Sequence, residues 1–199
     1  MNPLGDFSRY TRIIPQEHLP ALKRSLERIP DFSWLLSAPH STEQRLQGDL
    51  LKELPTVFLD QHGQPRIAKF TVMVLNNSCD LPDGRMDFVT AAPVLDFNSY
   101  LEFEAKRRNA ESLEGYAMAL RNNQKTELFY LPSFNGFPNG ALVLLHLVCS
   151  VSANIYHRAL SEGSRVASFS QAGFYFLLIK LTRHLARAES DEVNRPTTT

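Results

Sequence analysis

The period of the hydrophobic pattern changes several times along the chain, and each change marks an element. Leu19, Leu22, Leu26 and Ile29 recur at helical spacing among Lys23, Arg24, Glu27 and Arg28, which predicts an amphipathic helix over 16–28 bounded by Pro15 and Pro30. Phe32-Ser33-Trp34-Leu35-Leu36 reads as its anchor on the rest of the chain. From Ser41 the pattern becomes strand-like. A segment beginning at Gln47-Gly48-Asp49-Leu50 runs to Leu59, and Asp60-Gln61-His62-Gly63 supplies turn chemistry. Ile67 to Leu75 is an apolar run that predicts a central strand. It ends in Asn76-Asn77-Ser78-Cys79-Asp80 and a turn to Gly84, after which 86–94, rich in Val, Phe and Thr, predicts the return strand.

Residues 97–124 mix charges of both signs with spaced Leu, Phe, Tyr and Met, the pattern of two solvated helices broken near Asn109. Residues 127–131 read as a short strand stopped by Pro132, 142–151 as another core strand, and 152–161 as a short helix. The final helix is predicted to reach about Arg187. Ser168 with Gln171 forms a capping-box pattern, and Ser170 is the alternative cap. Phe174, Leu177, Leu178, Leu181 and Leu185 give this helix one apolar seam, and Phe176 and Ile179 a second face in its first half.

These elements predict an α+β protein: a small, strongly bent antiparallel β-barrel or sheet of SH3-like kind, with flanking helices and a long C-terminal helix. Residues 1–40 are expected to form a helical appendage, 41–195 one barrel-plus-helices domain, and 196–199 a disordered tail. Of 199 residues, 43% are hydrophobic, enough for a real core without disulfide staples.

Charge changes the picture next. Basic and acidic residues number 21 each, so attraction to a nucleic acid must come from a local patch. No apolar run approaches the roughly 20 residues of a membrane helix, and the N-terminus lacks a secretory pattern. Cys79 and Cys149 have no CxxC spacing, so neither zinc nor a disulfide is expected, and a reducing cytoplasm is the simplest compartment. No cofactor motif is present. G-x-S-x-G, the phosphate-loop pattern and H-E-x-x-H are all missing.

Three constellations remain as candidate chemistry, of which one, Glu189, Asp191, Glu192 and Arg195 just past the last helix, is a solvated tail unless Arg195 folds back onto the site. The tip Asn77-Ser78-Cys79-Asp80 follows a strand, but Asp80 beside the thiol raises rather than lowers its pKa, which makes Cys79 a poor nucleophile and a small buried filler. Lys180, His184 and Arg187, at i, i+4 and i+7, line one flank of the last helix, where they could meet a phosphate, a carboxylate or Asp80. Favourable charge near a helix C-terminus explains the same row equally well.

The ordered motifs Gly48-Asp49-Leu50, Val74 to Asp80, Arg85, Ala92-Pro93-Val94, Gln124, Phe129-Tyr130-Leu131-Pro132 and Ser168 to Arg195 resemble a widespread prokaryotic family of little assigned function. That family typically reads GDI, V-L-S-N-T-C-D, Y-L-P and G-[FY]-Y-x-F-L-x-K-L-x-x-H-x-x-R. Here Asn76 and Ser78 replace its usual Ser and Thr. The resemblance spans roughly 47–195 and implies a site made of Asn77, Cys79, Asp80, Arg85, Gln124, Lys180, His184, Arg187 and Arg195. Over about 47–95 the strand order is also similar to the MazF/PemK toxins, SH3-like barrels that cut single-stranded RNA.

The expected function is a binding module of a prokaryotic stress-response or phage-defence system. In it Asp80, Lys180, His184 and Arg187, with Arg85, hold an anionic ligand: a nucleic acid (RNA or DNA), a nucleotide or an acidic partner segment. The alternative is a metal-independent endoribonuclease in which Arg85 or Arg187 stabilises the phosphorane and His184 is acid or base, with Asp80 a further catalytic candidate. A third reading makes the cluster purely structural, with Asp80 paired to the helix row to lock helix to sheet.

Overall fold

The computed structural model describes residues 14–59 and 62–186. In chain order the elements are a 3-10 turn (Gln16–His18), α1 (Leu19–Leu26), β1 (Leu36–Ser37), β2 (Leu50–Leu59), β3 (Pro65–Val74) and β4 (Phe88–Asp96). There follow α2 (Phe97–Ala105), α3 (Ala110–Arg121), β5 (Leu128–Leu131), β6 (Ala141–Leu144), β7 (Cys149–Ser152), α4 (Ala153–Ser161), β8 (Arg165–Phe169) and α5 (Gln171–Ala186). The fold is therefore α+β, with one mixed-length antiparallel sheet in the order β1-β8-β2-β3-β4-β6-β5, and β7 paired to β4.

Of the bent barrel or sheet expected from sequence the strands form an open antiparallel sheet, and their pairing does not close it into an SH3-like barrel. Bending comes instead from two irregularities. A bulge between Leu51 and Leu54 shifts the β2–β3 register, with Glu53 at φ 60°, and beyond it the hairpin bends over β7 and α4. The stretch read as one strand over 142–151 is two. β6 pairs Val94 with Val143, β7 pairs Ala91 with Cys149, and residues 145–148 loop outward between them.

Side chains alternate across the sheet, as a pleated strand requires. Leu50, Met73, Ala92, Val94 and Val143 face α5, α1 and the Phe32–Leu35 segment in the largest core. Leu51, Val72, Val74, Val89 and Val151 face α4, whose Tyr156 is fully buried. Leu128, Leu142 and Leu144 meet Phe97 and Leu120 of α2 and α3. The break near Asn109 is a real helix start, since its side chain accepts from Ser112 N at 2.8 Å.

The principal miss is β8. Residues 165–169 carry a strand that pairs with both β1 and β2. Ser168 is consequently inside a strand, and Ser170 is the helix cap, accepting from Gly173 N at 3.0 Å. Gly173 is required there: an added Cβ would lie 2.0 Å from the Leu35 carbonyl oxygen.

Candidate functional site

The Asn77–Asp80 tip is a rigid turn fastened from three sides. Asn77 accepts from Cys79 N through its side chain at 3.1 Å and from Asp80 N through its carbonyl at 2.9 Å, an Asx turn. Arg85 donates to the Cys79 carbonyl at 2.6 Å. Leu81, fully buried, pins the far side of the turn in the α4 core. Ser78 accepts from Gln47 N at 2.9 Å, and Gln47 Nε2 donates to Leu75 O at 2.7 Å, which ties the tip to the loop before β2.

That loop is held by a buried ion pair. Asp49 Oδ2 lies 2.8 Å from an Arg165 guanidinium nitrogen, with both side chains out of solvent. Ser168 donates to the other carboxylate oxygen at 2.7 Å, and Leu46 N donates to Oδ2 at 3.1 Å. Burial pushes the Asp49 carboxyl up from its ordinary range, while Arg165, Ser168 and the Leu46 amide oppose that shift. Arg165 also donates to the carbonyls of His40 at 2.9 Å, Ser41 at 2.8 Å and Gln44. One buried guanidinium thus shapes the 40–44 loop from beneath.

Between this loop, the tip and the start of α5 lies a groove of about 450 Å³. Ser37, Gln44, Gln47, Ser78, Ser170 and Gln171 supply its polar wall, His40 its titratable group, and Phe169 and Phe174 its aromatic wall. No carboxylate is among the lining residues, and the groove opens at the positive end of a 16-residue helix.

A second polar cluster adjoins it on the same loops. Asp83 Oδ1 sits 2.8 Å from His157 Nδ1, and Arg45 reaches both Asp83 oxygens at 3.2 and 3.3 Å. Arg45 Nε also approaches His157 Nδ1 at 3.3 Å, but that nitrogen cannot donate to Asp83 and accept from Arg45 together. The shorter contact assigns the proton to Nδ1. Burial lowers the His157 pKa, Asp83 opposing and Arg45 reinforcing the shift, so the imidazole is neutral near pH 7. Asp83, Asp87, Asn154 and His157 line a cavity of about 330 Å³ there.

The residues expected from sequence divide into two groups. Asn77, Cys79, Asp80 and Arg85 share the tip, and all four are exposed, so Cys79 is not the buried filler expected of it. Lys180 lies elsewhere. It is 3% exposed and donates to Asn123 O at 2.7 Å and to Lys125 O, a corner it shares with the exposed Gln124. Ser78 of the tip lines one groove with Gln171 and Phe174 of α5, whereas Lys180 is nine residues beyond Gln171, about 14 Å along the axis. No hydrogen bond or ion pair among the described residues joins Lys180 or Asp80 to the other. His184 is half-buried one turn further on, and Arg187, Glu189, Asp191, Glu192 and Arg195 lie outside the described residues.

Burial lowers the Lys180 pKa to about 7, helped by Arg183 and opposed by Glu127. The neutral amine still has two hydrogens for its two carbonyl acceptors. Sequence reasoning noticed Gly48-Asp49-Leu50 only as a motif and missed Arg165, His40, Gln47, Asp83 and His157 as neighbours of the tip. Among the described residues, no group of three or more His, Cys, Asp or Glu side chains could hold a metal ion. None of their helices is long and apolar enough to cross a membrane. No family model matches the chain, and no curated protein does.

Proposed function

We propose that this chain is a binding module that takes an anionic ligand, a nucleotide unit of single-stranded RNA, into the groove between the tip and the N-terminus of α5. One observation carries the reading: hydroxyl and amide groups wall the groove at a helix N-terminus with no carboxylate among them. A phosphate is favoured by that helix end and by hydroxyl and amide donors. Phe174 offers a face on which a base can stack. Of the tip read from the sequence this site uses Ser78 alone, without Asn77, Asp80 or Arg85, and it leaves Lys180 to the protein's own carbonyls.

Titrating labelled single-stranded RNA against the full chain tests this. Binding is expected to weaken with salt, and Gln171→Glu, which puts a carboxylate at an exposed wall position, to weaken it about tenfold or more. RNA binding that is absent, or unchanged in Gln171→Glu, refutes the proposal.

A second reading, metal-independent RNA cleavage, is favoured by a different observation. Asp83 orients a neutral His157 through Nδ1, the arrangement that makes the other ring nitrogen a general base, and Arg45 balances the carboxylate. On this reading His157, not His184, takes the proton from a 2′-hydroxyl. Growth arrest on expression that is abolished by His157→Ala, with cleaved RNA recovered, supports it; intact RNA in a sensitive single-strand assay eliminates it.

A further inference from the structure

Beyond the bulge at Lys52–Glu53, β2 and β3 part from β8 and β4 and bend over β7 and α4, where Leu54 and Thr56 are buried. Residues Leu54–Leu59 pair only with Pro65–Phe70, because β8 reaches β2 at Leu50 and Leu51 and β4 reaches β3 from Thr71 onward. The result is a two-stranded ribbon about 20 Å long, an element that is marginal on its own in water. It is apolar as well. Val57 and Ile67, cross-strand partners and therefore on one face, are 54% and 76% exposed, and Leu59 is 68% exposed.

The ribbon's Thr56–Leu59 and Phe70 form one wall of a groove whose floor is Pro93, Leu95 and Leu144. Two adjoining cavities, of about 540 and 580 Å³, share Leu95, Leu144, His146 and Leu147. The outward loop between β6 and β7 forms one lip, with Leu147 51% and Val148 49% exposed.

We infer that the β2–β3 ribbon of one copy seats in this groove of a second copy, and reciprocally, to give a twofold dimer. Four features of the molecule select a second copy as the occupant. The ribbon's exposed Val57, Leu59 and Ile67 and the groove they border belong to one apolar surface, so a twofold through it uses the same patch on both copies, as an isologous contact needs. The ribbon and lip side chains expose on the order of 500 Å² of apolar surface. The groove floor brings this toward the ~800 Å² that each partner gives to a stable interface. Charge agrees, since exposed Lys69 stands on the Val57–Ile67 face and the far cavity is lined by Asp96 and Glu104 with one cation, Arg107. A formal net charge of zero removes long-range repulsion between copies. Face-to-face seating also fits the ribbon better than edge pairing, because Pro55 and Pro65 interrupt its strands.

Sedimentation equilibrium of the full chain, up to about 100 µM, is above the weak end expected for an interface of this area and tests the inference. Wild type is expected to be dimeric. Ile67→Asp and Leu147→Arg, both at exposed positions, are each expected to be monomeric with unchanged circular dichroism and Tm. The decisive step is mixing the two monomeric variants. In a reciprocal ribbon-in-groove dimer one contact then pairs Asp with Arg and the other is wild type, so a one-to-one heterodimer forms. A wild type that stays monomeric, as a chain whose groove takes a different protein would, overturns the inference. So does a dimeric Ile67→Asp, or a mixture in which the two variants remain apart.

Discussion

Arg165→Met is the most informative single perturbation of the candidate site's foundation. In the folded chain the guanidinium is 3% and the Asp49 carboxylate 0% exposed, and their closest atoms are 2.8 Å apart. Removing the guanidinium leaves a buried carboxylate with only Ser168 and the Leu46 amide as partners. Breaking a buried pair from one side costs about 3–5 kcal/mol. The freed carbonyls of Ser41 and Gln44 belong to exposed residues and rehydrate, so they add little. That cost is a large part of an ordinary domain's 5–15 kcal/mol or so. Asp49→Leu combined with Arg165→Met removes both charges and is expected to regain most of the loss, because two apolar side chains leave nothing unpaired. The 40–44 loop should nevertheless loosen in the double variant, since its anchor is gone. Urea unfolding gives the first quantity and amide hydrogen exchange over 40–46 the second. A loss below about 1 kcal/mol in Arg165→Met would refute the reasoning, as would a double variant no more stable than the single one.

Three further outcomes follow from the same geometry. Gly173→Ala places a Cβ 2.0 Å from the Leu35 carbonyl oxygen, where backbone on both sides must move, so a loss of about 3 kcal/mol or more is expected in thermal melts. Lys180 has a folded pKa near 7 against an ordinary 10.5, so between these values the unfolded chain holds the extra proton. Wild-type stability should therefore rise with pH across that window, by at most about 1.4 kcal/mol per unit, and Lys180→Met should flatten the rise in pH-dependent urea melts. Asp80→Asn should change stability by no more than about 0.5 kcal/mol, because Asp80 is exposed, and its urea midpoint reports this directly.

The expected lock of helix to sheet by Asp80 is not seen, since Asp80 is exposed; the buried Asp–Arg pair of this chain joins the loop before β2 to β8, at Asp49 and Arg165, and involves no helix. The sequence spacing that aligned Lys180, His184 and Arg187 on one helix flank was sound as far as helix geometry goes. What it could not supply was the direction of that flank. Lys180 points to the corner after α3, where Asn123, at φ 55°, turns its carbonyl toward the amine and bonds Tyr130 through its side chain.

By itself, the sequence determined the local elements. Periodicity placed α1 through α5 and the β2–β3–β4 meander, because helix and strand periods are properties of neighbouring residues. It also marked the polar tip after β3, since an apolar run that ends in Asn, Ser and Asp must turn there. Only the tertiary structure decided what stands beside that tip. Arg165 is 116 positions from Asp49 and lies in a short strand with no alternation to announce it. His157 and Asp83 meet because α4 packs against the face from which the tip emerges. Such pairings are set by where the sheet bends, at the Leu51–Leu54 bulge and the 145–148 loop, and a pattern along one strand carries no record of its partner's register.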